Sequence, residues 1–103
     1  MIDMYGINDK VYDNLINYFK NNEHIKSVIL FGSRAKGNEN FNSDIDLCIE
    51  SEPSQKGTIV ENINDIIGIY SCDILFSDSL NEEVKKQIYR DGITIYSYDI
   101  IEL

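Results

Sequence analysis

The sequence predicts an α/β (α+β) protein in which helices flank a small mixed β-sheet. Segments with the apolar spacing of a helix alternate with short segments typical of strands, in the order helix, strand, strand, helix, strand, helix, strand. This order favours a mixed sheet covered by helices. The length of 103 residues is typical of one domain. We therefore expect residues 1–103 to form a single domain.

The first half of the chain predicts one helix followed by two strands. Asn8 can cap a helix that runs to about Asn21 and carries one apolar stripe. Residues 27–31 form a short apolar run that ends at Gly32, which is typical of a strand buried on both faces. Residues 44–50 alternate between apolar and polar side chains, so they predict a strand with one buried face.

A second helix and a third strand are predicted from the middle of the chain. The pattern Thr58-x-x-Glu61 resembles a capping box, which would open a helix at this point. The helix carries isoleucines at helical spacing and is expected to stop at Gly68. Residues 69–76 then predict the third strand.

The last part of the chain predicts a third helix and an edge strand. A second capping-box pattern, Ser79-x-x-Glu82, precedes an amphipathic segment, and Gly92 stands where a helix is expected to end. Residues 93–98 predict an edge strand. Residues 100–103 are more apolar than a free tail, so we expect them to pack onto the sheet or to join a partner interface.

The composition excludes several classes of function. The chain has 9 basic and 18 acidic residues and a net charge of -9, which repels phosphate backbones, so we expect no direct nucleic-acid binding. No apolar run reaches the roughly 20 residues of a membrane helix, and the first residues lack the pattern of a secretory signal. We therefore expect a cytoplasmic protein with no membrane contact. A single histidine, His24, and the absence of a Cys-x-x-Cys pair give a zinc site almost no support.

Three acidic residues and one bend predict a site for a metal and a phosphate. Asp44 and Asp46 are two residues apart on one strand, so their side chains project from the same face. Two unpaired carboxylates at such a short separation repel each other, and one of them would have a raised pKa unless a cation intervened. Hard oxygen ligands of this kind suit Mg²⁺, which fills its remaining coordination with water and phosphate oxygens. Asp73, on the third strand, is the candidate for a third carboxylate.

The bend after the first strand is the candidate phosphate site. Gly32 permits close approach of the backbone, and Ser33 can begin a short helical turn whose N–H groups and hydroxyl would hold a phosphate. Arg34 or Lys36 could add positive charge there. Each feature also has an ordinary interpretation: Gly-Ser as a turn that ends a strand, and Asp-Ile-Asp as the solvated face of an amphipathic strand.

The combination of these motifs resembles a known signature. FGSRAKG at residues 31–37, followed by SDIDL at residues 43–47, is similar to the signature of the DNA polymerase beta nucleotidyltransferase superfamily, and most closely to its minimal nucleotidyltransferase (MNT) branch. The match is tight over residues 28–49 and extends loosely through CDIL at residues 72–75 and GITIY at residues 92–96.

The resemblance implies a nucleotidyltransferase fold, with ATP as substrate and Mg²⁺, as two ions, as cofactor. Many members of the branch are antitoxins that transfer AMP to a tyrosine of a partner HEPN-domain toxin, which implies a hetero-oligomer. Inhibition of the toxin by complex formation alone, or transfer to a small molecule such as an antibiotic, remain alternatives. Carried over by position, the metal-binding and catalytic residues are Asp44, Asp46 and Asp73, and the nucleotide-binding residues are Gly32 and Ser33, with Arg34 and Lys36 as supporting cations.

The cysteines supply a geometric check. If Asp73 faces the same side of the sheet as Asp44 and Asp46, then Cys72 must face the side opposite to Cys48. A disulfide between the two cysteines is then excluded, and we expect both thiols to be reduced.

Overall fold

The computed structural model describes residues 4–40 and 42–98. Its helices and strands follow the predicted order, and the short helical turn predicted at Ser33 follows the first strand. They are α1 (Asp9–Lys20), β1 (Ile25–Phe31), α2 (Ser33–Lys36), β2 (Ile45–Ser51), α3 (Lys56–Ile67), β3 (Cys72–Phe76), α4 (Glu82–Asp91) and β4 (Ile93–Ser97). Two short 3₁₀ turns, Pro53–Gln55 and Ser77–Ser79, precede α3 and α4.

The four strands form one mixed sheet in the order β3-β2-β1-β4. β1 pairs antiparallel with both β2 and β4, whereas β2 pairs parallel with β3. The parallel pair is possible because α3 connects β2 to β3 as a crossover. The predicted mixed sheet is therefore confirmed, and so is the position of the last strand at an edge.

The core lies between one face of the sheet and the helices α1 and α3. The predicted alternation of β2 is confirmed, since Ile45, Leu47 and Ile49 are fully buried on this face. The other members of the core cluster include Val28 and Leu30 of β1, Leu15 and Phe19 of α1, and Ile59, Ile63 and Ile67 of α3. Each fully buried side chain of this size contributes about 2 kcal/mol to folding. This packing fixes β1 and β2, whose ends carry the predicted site.

The first helix begins where the sequence predicts. The side chain of Asn8 accepts hydrogen bonds from the backbone N–H groups of Lys10 and Val11, which satisfies two donors that the first helical turn leaves free. The third strand is shorter than predicted because it begins at Cys72. Ile69, which was expected to lie in this strand, is 98% exposed.

Both predicted capping boxes are wrong. α3 begins at Lys56, so Thr58 already lies inside the helix, and no side chain in the described part of the chain caps its start. The 3₁₀ turn that begins at Pro53 leads directly into α3, because the fixed φ of proline suits the start of a helical turn. The cap of α4 is Asn81, whose side chain accepts from the N–H of Val84 at 2.9 Å, whereas Ser79 belongs to the preceding 3₁₀ turn.

Gly92 ends α4 as predicted, but for a reason other than its backbone conformation. Its φ of -66° and ψ of 143° are extended, so no left-handed conformation requires glycine here. A Cβ at this position would lie 2.5 Å from the carbonyl oxygen of Ile88 and 2.8 Å from Cγ2 of Ile29. Glycine is therefore required because the last turn of α4 and the side chain of Ile29 in β1 both crowd this position. The expected packing of residues 100–103 lies outside the described residues.

Among residues 4–40 and 42–98, no helix has the length and hydropathy needed to cross a membrane.

Candidate functional site

Two of the predicted carboxylates lie side by side on neighbouring strands. Asp46 of β2 and Asp73 of β3 are register partners in the parallel pair, and such partners project from the same face of a sheet. Phe31, the last residue of β1, is the register partner of Asp46 on its other side. The end of β1, the start of β2 and the start of β3 therefore meet at Asp46. The predicted proximity of these two carboxylates is confirmed.

The bend after β1 lies against this pair. Gly32 has a φ of +78°, a conformation that residues with a side chain rarely adopt. A Cβ on Gly32 would overlap Oδ2 of Asp46 and would lie 2.9 Å from its Cγ. Gly32 is therefore required twice, once by the turn and once by the carboxylate. The backbone of the bend and the carboxylate of Asp46 form one surface.

Asp44 lies just before β2 and is held from the neighbouring strand. Its side chain accepts a hydrogen bond from the hydroxyl of Ser71, and the backbone N–H of Ile45 donates to the carbonyl oxygen of Ser71 at 2.9 Å. These contacts continue the parallel register of β2 and β3 by one residue. Ser71 is a site residue that the sequence motifs did not predict, although its position two residues before Asp73 places it on the same face.

The acidic residues repel one another, as the sequence predicts. Burial raises the pKa of Asp46 to about 6, and the nearby carboxylates of Asp73 and Asp44 add to the rise, whereas Arg34 opposes it. No basic side chain forms an ion pair with Asp46 among the described residues. The folded chain thus leaves a partly buried carboxylate without a neutralising partner, which is the electrostatic condition for binding a cation.

The three aspartates do not form a closed cage. In the part of the chain that the structure describes, no three histidine, cysteine, aspartate or glutamate side chains are close enough to hold a metal ion by themselves. Asp44 and Asp73 are exposed, and Asp46 is half-buried. This open arrangement of oxygen donors fits Mg²⁺, which usually takes only one or two carboxylates and completes its shell with water and substrate phosphates.

The short turn predicted after Gly32 is confirmed as α2. Ser33 is its first residue and is half-buried, and Lys36 is its last and is exposed. Ser33 immediately follows the glycine that approaches Asp46, and Lys36 ends the same short turn. Their contact with a nucleotide remains a prediction.

Arg34 occupies a different environment from the other predicted cation. It is 1% exposed. Its guanidinium donates to the carbonyl oxygens of Tyr5 at 3.1 Å and Ser43 at 2.8 Å, and it lies 5.4 Å from the ring centre of Tyr70. In this geometry the guanidinium is turned toward the protein and away from solvent. The structure therefore gives no support to the expected contact between Arg34 and a phosphate.

The two cysteines lie on opposite faces of the sheet, as predicted. Cys72 is the register partner of Ile45 on the core face, whereas Cys48 shares the parity of Asp46. Both thiols are free. Burial raises the pKa of Cys72 to about 12 and also raises that of Cys48, so both thiols are protonated at neutral pH and neither is suited to act as a nucleophile.

A small cavity opens beside Asp44. It has a volume of about 240 Å³ and is lined by Asn42, Ser43, Ile69, Tyr70 and Ser71. A larger groove of about 520 Å³ lies between α1 and β4, and it contains none of the predicted site residues. None of the three aspartates lines either space, although the small cavity includes Ser43 and Ser71, which lie next to Asp44.

The sequence matches a known protein family and a named relative. The model of the family described as "Polymerase beta, Nucleotidyltransferase" matches residues 13–101. A chain of Methanocaldococcus jannaschii described as "Putative protein adenylyltransferase MJ1379" is 32% identical over 83 residues, which cover 74% of this chain and 82% of the relative.

Two solved structures have the same fold at low sequence identity. One is a toxin-antitoxin complex with AMP-PNP, matched with a TM-score of 0.65 at 18% identity over 88% of this chain and 74% of the other. The second contains a tri-AMPylated HEPN toxin of Shewanella oneidensis in complex with an MNT antitoxin, matched with a TM-score of 0.62 at 14% identity over 88% of this chain and 73% of the other. The predicted fold class is confirmed.

Proposed function

Because the chain belongs to the polymerase beta nucleotidyltransferase family, we propose that it transfers AMP from ATP to a hydroxyl group of a partner protein. The proposed acceptor is a tyrosine of a HEPN-domain toxin, so the protein acts as an antitoxin within a hetero-oligomer. The observation that carries this proposal is the position of Asp46, which lies beside Asp73 and against the backbone of Gly32 and has no ion-pair partner within residues 4–40 and 42–98.

The donor set fits magnesium. Asp44, Asp46 and Asp73 would hold the ions, because Asp46 and Asp73 are register partners and Asp44 adjoins them on the same face. Bound Mg²⁺ would neutralise the triphosphate and make the acceptor hydroxyl easier to deprotonate.

The nucleotide and the proton of the acceptor hydroxyl would be bound by residues of this protein. The backbone of Gly32, the hydroxyl of Ser33 and the ammonium group of Lys36 would bind the triphosphate oxygens. The exposed carboxylate of Asp73 would accept the proton of the acceptor hydroxyl. The acceptor oxygen then forms a bond to the α-phosphorus, the bond between the α-phosphorus and the bridging oxygen breaks, and pyrophosphate leaves with its electron pair.

Two observations support a protein as acceptor. The relative from Methanocaldococcus jannaschii is named for protein adenylylation, and a structure of the same fold contains a HEPN toxin that carries AMP groups. Both observations favour an acceptor hydroxyl that belongs to a partner protein over a small molecule.

The test is transfer of labelled AMP to a co-expressed HEPN-domain partner, followed by intact mass measurement of the partner. We expect a mass increase with Mg²⁺ and ATP, and at least an approximately 100-fold loss of transfer in the double variant Asp44→Asn/Asp46→Asn. Asp65→Asn is the matched control, because it removes one exposed carboxylate from α3, the helix that packs on the opposite face of the sheet.

Two outcomes would overturn the proposal. Unchanged transfer by the folded double variant would remove the carboxylates from the mechanism. Neutralisation of the partner without any mass increase, in both the wild type and the double variant, would replace transfer by inhibition through complex formation.

A further inference from the structure

We propose that Arg34 is a positioning residue. It fixes the backbone just before Asp44 and the neighbouring segment whose serine binds the Asp44 side chain, and it thereby holds this carboxylate in place beside Asp46. The inference rests on the proposed function, because it assigns Arg34 a role in the same site. It differs from the expectation that Arg34 supplies positive charge to the triphosphate.

The first arm of Arg34 reaches the segment before Asp44. One terminal nitrogen of the guanidinium donates to the carbonyl oxygen of Ser43 at 2.8 Å, and Ser43 directly precedes Asp44. This contact joins residues nine apart, so it ties the turn after Gly32 to the end of the loop that leads into β2. The backbone from which the Asp44 side chain projects is fixed by this hydrogen bond.

The second arm reaches the segment that holds the Asp44 side chain. The guanidinium lies over the ring of Tyr70 at 5.4 Å from its centre, and Tyr70 directly precedes Ser71, which donates to the Asp44 carboxylate. The hydroxyl of Tyr70 in turn accepts from the backbone N–H of Asn8 at 2.9 Å. The guanidinium thus contacts Ser43, which precedes Asp44, and Tyr70, which precedes the hydrogen-bond donor Ser71.

A third contact anchors the guanidinium itself. Its other terminal nitrogen donates to the carbonyl oxygen of Tyr5 at 3.1 Å, in a segment 29 residues away. Arg34 is 1% exposed and forms no ion pair with a carboxylate among the described residues. Burying an unpaired charge is costly, so the carbonyl groups and the Tyr70 ring must offset that cost. A lysine cannot replace this arrangement, because it has neither the planar fork nor the stacking face of arginine.

The decisive comparison is between a positioning role and a phosphate contact. A phosphate contact depends on positive charge, so Arg34→Lys would retain most of the function. A positioning role depends on two diverging donors and a flat face, so Arg34→Lys would lose nearly as much as Arg34→Met. Lys36→Met removes the exposed cation of the same turn and serves as the reference for loss of a phosphate contact.

The experiment measures Mn²⁺ binding by calorimetry and AMP transfer by steady-state kinetics in these three variants. We expect Arg34→Lys and Arg34→Met to weaken Mn²⁺ binding and lower kcat by about tenfold or more, with the KM for ATP changed by less than about twofold. We expect Lys36→Met to raise this KM and to leave Mn²⁺ binding unchanged. Near wild-type kcat and Mn²⁺ binding in Arg34→Lys would overturn the proposal, and so would a rise in KM as the main effect of Arg34→Met.

A second pair of variants covers the case in which the Arg34 variants do not fold. Tyr70→Phe retains the ring beneath the guanidinium, whereas Tyr70→Leu removes it. We expect Mn²⁺ binding to weaken in Tyr70→Leu and to stay within about twofold of the wild type in Tyr70→Phe. Equal Mn²⁺ affinity in the two variants would show that the contact between the guanidinium and the Tyr70 ring does not position Asp44.

The metal measurement separates this proposal from the proposed function. If the wild type binds Mn²⁺ but transfers no AMP, and Arg34→Lys binds Mn²⁺ weakly, the positioning role stands and the proposed function fails. If the wild type transfers AMP and Arg34→Lys transfers it equally well, the proposed function stands and the positioning role fails.

Discussion

At the scale of single residues, the most informative group is the carboxylate of Asp46. Burial and the carboxylates of Asp73 and Asp44 together raise its pKa to about 6, so the folded chain binds this proton more tightly than the unfolded chain does. The ionised form of Asp46 at neutral pH therefore destabilises the metal-free fold. A protein without use for this carboxylate could replace it by an uncharged residue. The electrostatic cost of ionising Asp46 therefore supports a functional site and not a solvated strand face.

The pKa of Asp46 predicts a pH dependence of stability. Because the folded pKa is above the unfolded one, the metal-free folded chain holds more protons between about pH 4 and pH 6, and the free energy of unfolding rises as the pH falls through this window. We expect Asp46→Asn to remove this dependence and to stabilise the protein by about 1 kcal/mol at about pH 8, a value reduced for solvent screening. Urea unfolding at several pH values in the presence of a chelator measures the free energy of unfolding of both proteins.

The control for this measurement is Asp65→Asn, which removes one exposed carboxylate from α3, the helix that packs on the face of the sheet opposite to Asp46. Asp78 and Asp91 have lowered pKa values because they pair with Lys56 and Arg90, so their contributions have the opposite sign and are lost at lower pH. The difference between the wild type and Asp46→Asn isolates Asp46. An identical slope in both proteins would mean that Asp46 does not titrate in this window.

The sequence predicted those site residues whose placement depends on strand parity. The proximity of Asp46 and Asp73 follows from alternation along two strands, and the structure confirms it. The positions of Arg34 and Ser71 could not be predicted this way, because their contacts join residues that are 29 and 27 apart. A basic residue beside a phosphate-binding motif suggests a ligand, and only the folded chain shows that its guanidinium is turned inward.

At the scale of helices and strands, the apolar pattern was a better guide than the capping pattern. The three isoleucine and leucine positions of β2 are all fully buried, because alternation is imposed along the whole strand by one buried face. A capping box depends on only two residues three apart, a spacing that also occurs inside helices. Thr58 and Glu61 have this spacing within α3, where the turn that begins at Pro53 has already started the helix.

The cap of α4 gives a prediction at this scale. Asn81→Ala removes the side chain that accepts from the N–H of Val84 at 2.9 Å, so we expect a loss of about 1 kcal/mol in the free energy of unfolding. Ser79→Ala, at the residue that the sequence pattern favoured as the cap, should change it by less than about 0.5 kcal/mol. Urea unfolding of both variants distinguishes the two positions. A larger loss in Ser79→Ala would restore the capping box.

At the scale of the whole molecule, the charge of the chain and the charge of the site act in the same direction. The net charge of -9 disfavours the compact state through self-repulsion, and part of that repulsion is concentrated at Asp46 and its two acidic neighbours. Any salt screens the general repulsion. A divalent cation bound between the carboxylates would relieve the local repulsion as well, so the two effects can be separated by comparing ions at equal ionic strength.

We therefore expect MgCl₂ to raise the midpoint of thermal unfolding more than KCl of the same ionic strength. A Mg²⁺ concentration about tenfold above the dissociation constant stabilises the fold by about 1.4 kcal/mol, which corresponds to roughly 6 °C for a domain of this size. The double variant Asp44→Asn/Asp46→Asn should retain the response to KCl and lose the additional response to MgCl₂. The additional response should also shrink below about pH 6, because protons then compete for Asp46. Equal responses to the two salts in the wild type would show that the carboxylates form no divalent site in the absence of nucleotide, and Mg²⁺ would then have to enter with the triphosphate.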